Sequence, residues 1–342
     1  MSSNPAVAQR KETPGSAAQG DILESVFALV AEDFAAVNTL IPRQLTSDVA
    51  LVEEIGHHIV ESGGKRLRPL MVLLGAYCCG YSGQGHIRLA TIIEFLHTAM
   101  LLHDDVVDHS ELRRGAATAN ALWGNPPSVL VGDFLYSRAF QLMVELESMD
   151  IMAILSDATN TIAEGEVMQL ANVGNCALSE AQYMNVIRCK TAMLFQAATH
   201  TAGVLASKAA EQITALRDFG LHFGLAYQLV DDWLDYVGDA NTMGKNVGDD
   251  LAEGKLTLPL IHALANAPQA EADVIRQAIA EQSASHMSDV LRIVQSSGAL
   301  DYTLQAALTQ SERAAQQLRA LPDNSYRDAL HTLTNFCVDR LR

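Results

Sequence analysis

Two short stretches place carboxylates where apolar side chains would be expected. Leu101-Leu102-His103-Asp104-Asp105-Val106-Val107-Asp108 sets three acids into a helix-periodic apolar run, and Asp231-Asp232-Trp233-Leu234-Asp235 repeats the i, i+1, i+4 spacing. On a helix, residues four apart stand above one another, so Asp104 and Asp108 share a face, with Asp105 about 100° round from Asp104. Each set is a comb of hard oxygen donors. Mg²⁺ prefers such ligands and typically keeps waters while bridging to substrate phosphates. Mg²⁺ held there would bind a diphosphate and stabilise the charge developing on it as a C–O bond ionises.

Cations accompany the acids. Gly63-Gly64-Lys65-Arg66-Leu67-Arg68-Pro69 joins flexible backbone, three positive charges and a Pro suited to a first helical turn, which makes an anion cradle. Arg113-Arg114 follows the first comb closely, and cations that near would neutralise it unless something such as a metal-bound diphosphate lies between. Arg188, Lys190 and Thr191 occupy a later helix, and a Gly-, Asp- and Asn-rich loop, Gly238 to Gly254, carries Lys245 and leads to Lys255. Loops this long are more often functional than decorative. The cations exceed the needs of one diphosphate, so two anionic substrates fit the count better.

The elements that must position these groups read as helices. Aromatics are only 6% of the chain and no succession of alternating Val/Ile/Thr runs occurs, so a sheet has little to be built from. The apolar spacing predicts helices over Ile22 to Leu40, closed by Pro42, and from Ser47 as N-cap to Ser62, stopped by Gly63-Gly64. Further helices are expected over Leu70 to Cys79, Ile87 to Asp108, Ser128 to Glu147, Met149 to Gln169 and Gln212 to Gly238. Beyond Pro259 the chain reads as helical scaffold. No short-period repeat or internal linker is visible, so residues 21–342 are expected to form one all-α domain, preceded by a disordered segment over 1–20.

A net charge of −17 argues against a nucleic-acid or anionic-membrane surface. The five cysteines, an odd count without CxxC spacing, suit reduced thiols in a cytoplasmic protein. No run approaches the roughly 18 consecutive apolar residues of a spanning helix. A competing reading starts from Glu54-Ile55-Gly56-His57 and Glu94-Phe95-Leu96-His97, each the Glu-x-x-His of a di-iron bundle. Its order fails, because no helix with a lone Glu lies between the two signatures, and it leaves both combs unexplained.

Taken together, the glycine-led basic motif, both combs, Arg113-Arg114, Lys190-Thr191, Gln228, Gly244-Lys245 and Gly254-Lys255 resemble the trans-isoprenyl diphosphate synthases, in family order from about Ile22 onward. Within them the pattern is most similar to the bacterial octaprenyl diphosphate synthases. The resemblance implies a helical bundle of the isoprenoid synthase type around a deep central cavity, commonly a homodimer, with Mg²⁺ as cofactor at three ions per site once substrate is bound. It implies that Lys65, Arg68, His97 and Arg114 bind isopentenyl diphosphate. It further implies that Asp104, Asp108, Asp231 and Asp235 hold metal, with Asp105 and Asp232 also catalytic. Arg113, Lys190, Thr191, Gln228, Lys245 and Lys255 would serve an allylic diphosphate such as farnesyl or geranyl diphosphate.

The implied reaction is ionisation, condensation and proton loss, repeated to build a long chain for a quinone such as ubiquinone. Ala99 and Met100, about a turn before Asp104, would control chain length together with Met143, and the small Ala99 argues for a long product. His109, Trp233 and Leu256 depart from the usual pattern without removing a ligand. Alternatives in view are a shorter-chain synthase, a terpene cyclase or head-to-head synthase, and a non-catalytic subunit of a two-component synthase. Such subunits typically lose aspartates, whereas all six are present here.

Overall fold

Helix-favouring composition and apolar spacing produce an almost wholly helical chain. In the computed structural model the described residues are 22–206, 209–237, 248–282 and 284–340, so the expectation about residues 1–20 and Lys245 itself lie outside them. The helices are α1 (Ile22–Ala28), α2 (Ala31–Gln44), α3 (Ala50–Glu61), α4 (Leu67–Cys78), α5 (Gly85–Val107), α6 (Ala119–Trp123), α7 (Asn125–Val144) and α8 (Met149–Ala171). They continue with α9 (Glu180–Ile187), a π-helical turn (Arg188–Ala192), α10 (Met193–Leu205), α11 (Ala210–Val237), α12 (Asp249–Ala252) and α13 (Leu258–Asn266). The last are α14 (Gln269–Glu281), α15 (Met287–Ser296), α16 (Ala299–Gln317) and α17 (Ser325–Asp339). A single hydrophobic cluster runs through them from Val26 to Cys337.

Several boundaries differ from expectation for local reasons. The first segment is not one helix to Leu40: it breaks at Leu29-Val30, turns by 85°, and α2 then carries Pro42 inside it. A proline near a helix end need not stop it, since the preceding turn is already formed. Helix α3 begins at Ala50, because Ser47 is not its N-cap: Ser47 Oγ accepts from Val49 N (3.2 Å), while Ser47 N donates to Glu53 (2.9 Å). Its expected stop holds, with Gly63 left-handed at φ 77.

The core is built on α4 and α5. Ten of the twelve residues of α4 are buried, and α5 is the long central helix, packed against α2, α4, α7 and α10. Ser128 Oγ donates to the Leu102 carbonyl (3.0 Å), fastening α7 to the segment that bears the first comb. Both comb-bearing helices, α5 and α11, pack on α10.

Helix α5 closes with His109 left-handed (φ 53) and a Ser110 N–H bond back to the Asp105 carbonyl (3.0 Å), a Schellman-type stop. The chain then reverses in the one small sheet among the described residues. It pairs Leu112–Arg113 with Ala116–Ala117 through a two-residue turn, Arg114-Gly115, both at positive φ (55 and 80). That turn matches the right-handed twist of the strands. Asn120 Nδ2 then bonds the carbonyls of Asp105 (3.2 Å) and Ser110 (3.1 Å), pinning the hairpin over the end of α5.

Candidate active site

The π-turn organises the site. A π-turn inserts one extra residue per turn and is frequent at functional positions. Here it is gripped from two sides by glycines: a Cβ on Gly165 of α8 would stand 2.7 Å from Lys190 N, and one on Gly224 of α11 would stand 2.5 Å from Ala192 Cα. Only bare backbone lets α8 and α11 come this close. In consequence, Lys190 reaches toward the first comb, 3.7 Å from Asp104 Oδ2 and 2.6 Å from Glu166 Oε2. Its neighbour Thr191 turns to the second, donating to Gln228 Oε1 (2.8 Å), whose Nε2 donates to Asp232 Oδ1 (2.7 Å).

Lys255, three residues after α12, brings a second cation to the first comb. Its Nζ lies 3.0 Å from Asp108 Oδ2 and 2.5 Å from Glu253, while its backbone N–H bonds the Asp250 carbonyl (2.8 Å). Gly248 N donates to the Asp235 carbonyl (3.1 Å), so the segment from Gly248 to Lys255 is tied to the end of α11. The two combs therefore belong to one site, linked by Lys190-Thr191 and by this segment, which meets Asp235 at Gly248 and Asp108 at Lys255.

Within each comb the three acids differ. Asp105 is fully buried, and its Oδ1 takes both Arg113 Nε (2.7 Å) and NH2 (2.6 Å). The sequence expectation that something lies between the first comb and its basic pair is corrected here for Arg113: the hairpin brings it straight back onto Asp105. Asp232 is buried too, held by Gln228 and by the Tyr183 hydroxyl (2.5 Å). Burial, then the charge of Asp250, pushes the Asp232 carboxyl up. Asp104, Asp108 and Asp231 instead face cations, the last through Arg340 NH2 at 2.7 Å. Burial raises Asp104, with Lys190 opposing. Burial depresses Lys190, but Asp104 and Glu166 outweigh it and the ammonium ends above its usual range. Lys255 behaves alike, with Asp108 and Glu253 prevailing.

The second anion site is the cradle. A cavity of ≈ 60 Å³ is lined by Lys65, Arg66, Leu67, Arg68, Glu94, His97, Arg114, Phe195 and Tyr227. The Arg68 guanidinium stacks 4.0 Å over the Phe195 ring, its NH1 lies 3.4 Å from His97 Nε2, and its buried Nε has no partner. Burial pulls Arg68 down to about 10 and Lys65 to about 8. Burial, then Arg68, Arg114 and Arg113, holds His97 well below its usual value, so the ring is neutral. Half-buried Arg68 together with exposed Lys65 and Arg114, their charged forms disfavoured where they lie, make a receptor for an anion. Tyr227 lies one turn before Asp231 on α11, so the cradle and the second comb adjoin.

The donor set suits Mg²⁺. Among the described residues no three His, Cys, Asp or Glu side chains converge tightly enough to hold an ion by themselves. Carboxylate oxygens such as these suit a cation that takes one or two carboxylates plus substrate phosphates and water. The cations on Asp104, Asp108 and Asp231 mark those carboxylates as places for positive charge.

The matching family model, polyprenyl synthetase, covers residues 49–296. The chain belongs to the polyprenyl synthetase family. The synthase is 48% identical to the octaprenyl diphosphate synthase of Escherichia coli K12 over 94% of this chain and 99% of that protein. It is 50% identical to an all-trans-nonaprenyl-diphosphate synthase (geranyl-diphosphate specific) of Rhodobacter capsulatus, again over 94% and 99%. Its fold matches a crystal structure of a polyprenyl synthase from Caulobacter crescentus CB15 complexed with calcium and isoprenyl diphosphate. That match has a TM-score of 0.90 and 45% identity, covering 93% of this chain and 97% of that one. The synthase is accordingly a prenyltransferase with the all-α isoprenoid synthase fold, in a family that uses a divalent metal.

Several site groups of the synthase were not singled out by sequence. Glu166, Tyr183 and Tyr227 sit in amphipathic helices with nothing in their spacing to mark them, and Arg340 follows α17 in the stretch expected to be scaffold. Of the chain-length candidates, Ala99 and Met143 are buried in the core and Met100 is half-buried. Trp233 is half-buried with Nε1 unbonded, and nothing in the structure explains it.

Proposed function

We propose that this synthase adds isopentenyl diphosphate repeatedly to an allylic diphosphate of the farnesyl or geranyl type, giving a long all-trans product of the octaprenyl class for quinone side chains. The observation that carries this reading is the pair of adjoining anion sites of opposite design: a basic cradle beside a carboxylate-rich one that Lys190 and Lys255 face. A cyclase acting on one diphosphate has no use for the cradle.

In this reading Lys65, Arg68, His97 and Arg114 hold the isopentenyl diphosphate, and neutral His97 contributes a hydrogen bond rather than charge. Asp104, Asp108, Asp231 and Asp235 hold Mg²⁺, three ions with substrate bound, which supplies charge stabilisation to the allylic diphosphate. Lys190 and Lys255 lie where that diphosphate meets the first comb, and Thr191 and Gln228 where it meets the second. Arg113 acts through Asp105. Lys245, three residues before Gly248 in sequence, joins them. The allylic C–O bond breaks with its electron pair going to the diphosphate, the isopentenyl double bond attacks the cation, and the departing diphosphate takes the proton.

The synthase is further proposed to be a cytoplasmic homodimer of single-domain chains. Among the described residues no single helix is long and apolar enough to cross a membrane. Incubation with isopentenyl and farnesyl diphosphates and mass spectrometry of the product tests the reading. The expected result is a long prenyl diphosphate, shortened in Ala99→Tyr with Mg²⁺-dependent turnover retained. A cyclic product, or no product from the purified chain, contradicts it, and an unchanged length in the variant rejects the steric role of Ala99.

A further inference from the structure

Lys190 offers one ammonium to two carboxylates, and the distances show which of them has it: 2.6 Å to Glu166 against 3.7 Å to Asp104. All three side chains are mostly buried, between 19% and 28% exposed, so none of these charges is well solvated. The closeness of α8 and the π-turn produces this arrangement. Gly165 lets the α8 backbone lie against Lys190 N, and the next residue, Glu166, then projects its carboxylate onto the Lys190 ammonium.

We propose that Glu166 is the positioning residue for Lys190, holding its ammonium off Asp104 and aiming it at the metal-bound diphosphate. The inference rests on reading Asp104 as a metal ligand and Lys190 as a diphosphate contact. An ammonium seated on Asp104 competes with a dication for the same oxygens. Removing it without a second carboxylate would leave a mostly buried cation unpaired, which is costly. Glu166 resolves that conflict by giving the ammonium somewhere to stay. An ammonium has three N–H donors, so one committed to Glu166 leaves two for phosphate oxygens. The partner also fixes the direction of a flexible four-carbon stem that would otherwise have to be ordered when substrate arrives. On the other side of the turn, the Thr191 hydroxyl spends its single donor on Gln228.

The test measures binding of inorganic pyrophosphate in the presence of Mg²⁺ by calorimetry on the full chain, without turnover. It compares the wild type with Glu166→Ala, Glu166→Gln and Lys190→Ala. In Glu166→Ala, pyrophosphate affinity should fall about tenfold and the Mg²⁺ concentration for half-saturation should rise by a similar factor, as for a lost charged hydrogen bond. Affinity for isopentenyl diphosphate without metal should not change, because the cradle is untouched. Glu166→Gln keeps an amide oxygen to accept from Lys190 and should recover most of the loss. Wild-type Mg²⁺ dependence in Glu166→Ala, alongside weakened binding in Lys190→Ala, overturns the inference and leaves the active-site reading standing. Equal weakening of both ligands shows general destabilisation and also overturns it. Wild-type pyrophosphate binding by Lys190→Ala removes the Lys190 assignment and the inference with it.

Discussion

The two aspartate combs share a spacing but not an environment. In both, the second acid is buried and held by protein. Asp105 is held by a cation, Arg113, whereas Asp232 is held by neutral donors, Tyr183 and Gln228. The outer acids face Lys190 and Lys255 in the first comb; in the second, Asp231 faces Arg340 while Asp235 is buried. The difference teaches that the i, i+1, i+4 pattern builds two kinds of group. Asp104, Asp108 and Asp231 face positive charge, and the middle carboxylates hold in place the parts around them. Asp105 fixes the hairpin that carries Arg114 toward the cradle, and Asp232 fixes Gln228 and through it Thr191.

The largest effect should come from the outer acids. Asp104→Ala or Asp231→Ala is expected to lower turnover about 10²–10³-fold or more, the scale for losing a preorganised electrostatic contact, with little change in thermal unfolding. Near-wild-type rates from either would separate the combs functionally and break the comparison.

The middle acids should then diverge in stability. Asp105→Asn strips a buried ion pair and leaves Arg113 uncompensated, at a cost of about 3 kcal/mol. Asp232→Asn keeps neutral partners that can exchange donor and acceptor roles, at about 1 kcal/mol. Denaturant titration of both variants measures this, and equal costs would remove the distinction.

The smallest effect concerns pH at the cradle. Burial brings Lys65 down to about 8, so it is charged below that pH and neutral above it. Anion binding requires the charged form. Affinity for isopentenyl diphosphate measured without metal should therefore hold at pH 7 and fall several-fold by about pH 9. Lys65→Met should bind weakly and lose that pH dependence.

Much of this was legible in the sequence. The comb spacing, the glycine-led basic motif and the Lys190-Thr191 pair are local patterns, because a helix converts sequence distance directly into position on a face. Helix existence was readable for the same reason, while ends were not. The start of α3 depended on Glu53 capping Ser47, and the break before α2 on how its two halves pack. Arg113 read as a diphosphate ligand because a two-residue hairpin that returns it to Asp105 lies below the resolution of periodicity. Glu166 on α8 has nothing in its spacing to mark it, because its partner Lys190 lies on a separate element.

The sequence by itself determined which helices carry acid, which turns carry cations, and that the two belong to one chemistry. Only the tertiary structure decided which acid meets which cation. Asp231 with Arg340, Asp108 with Lys255 and Asp232 with Tyr183 are pairs brought together by helix packing across long stretches of chain. The glycines at 165 and 224 set how near α8 and α11 come to the π-turn, and so which side chain Lys190 can reach. Local patterns follow from the helix repeat, but partners follow from close packing, which no single segment encodes.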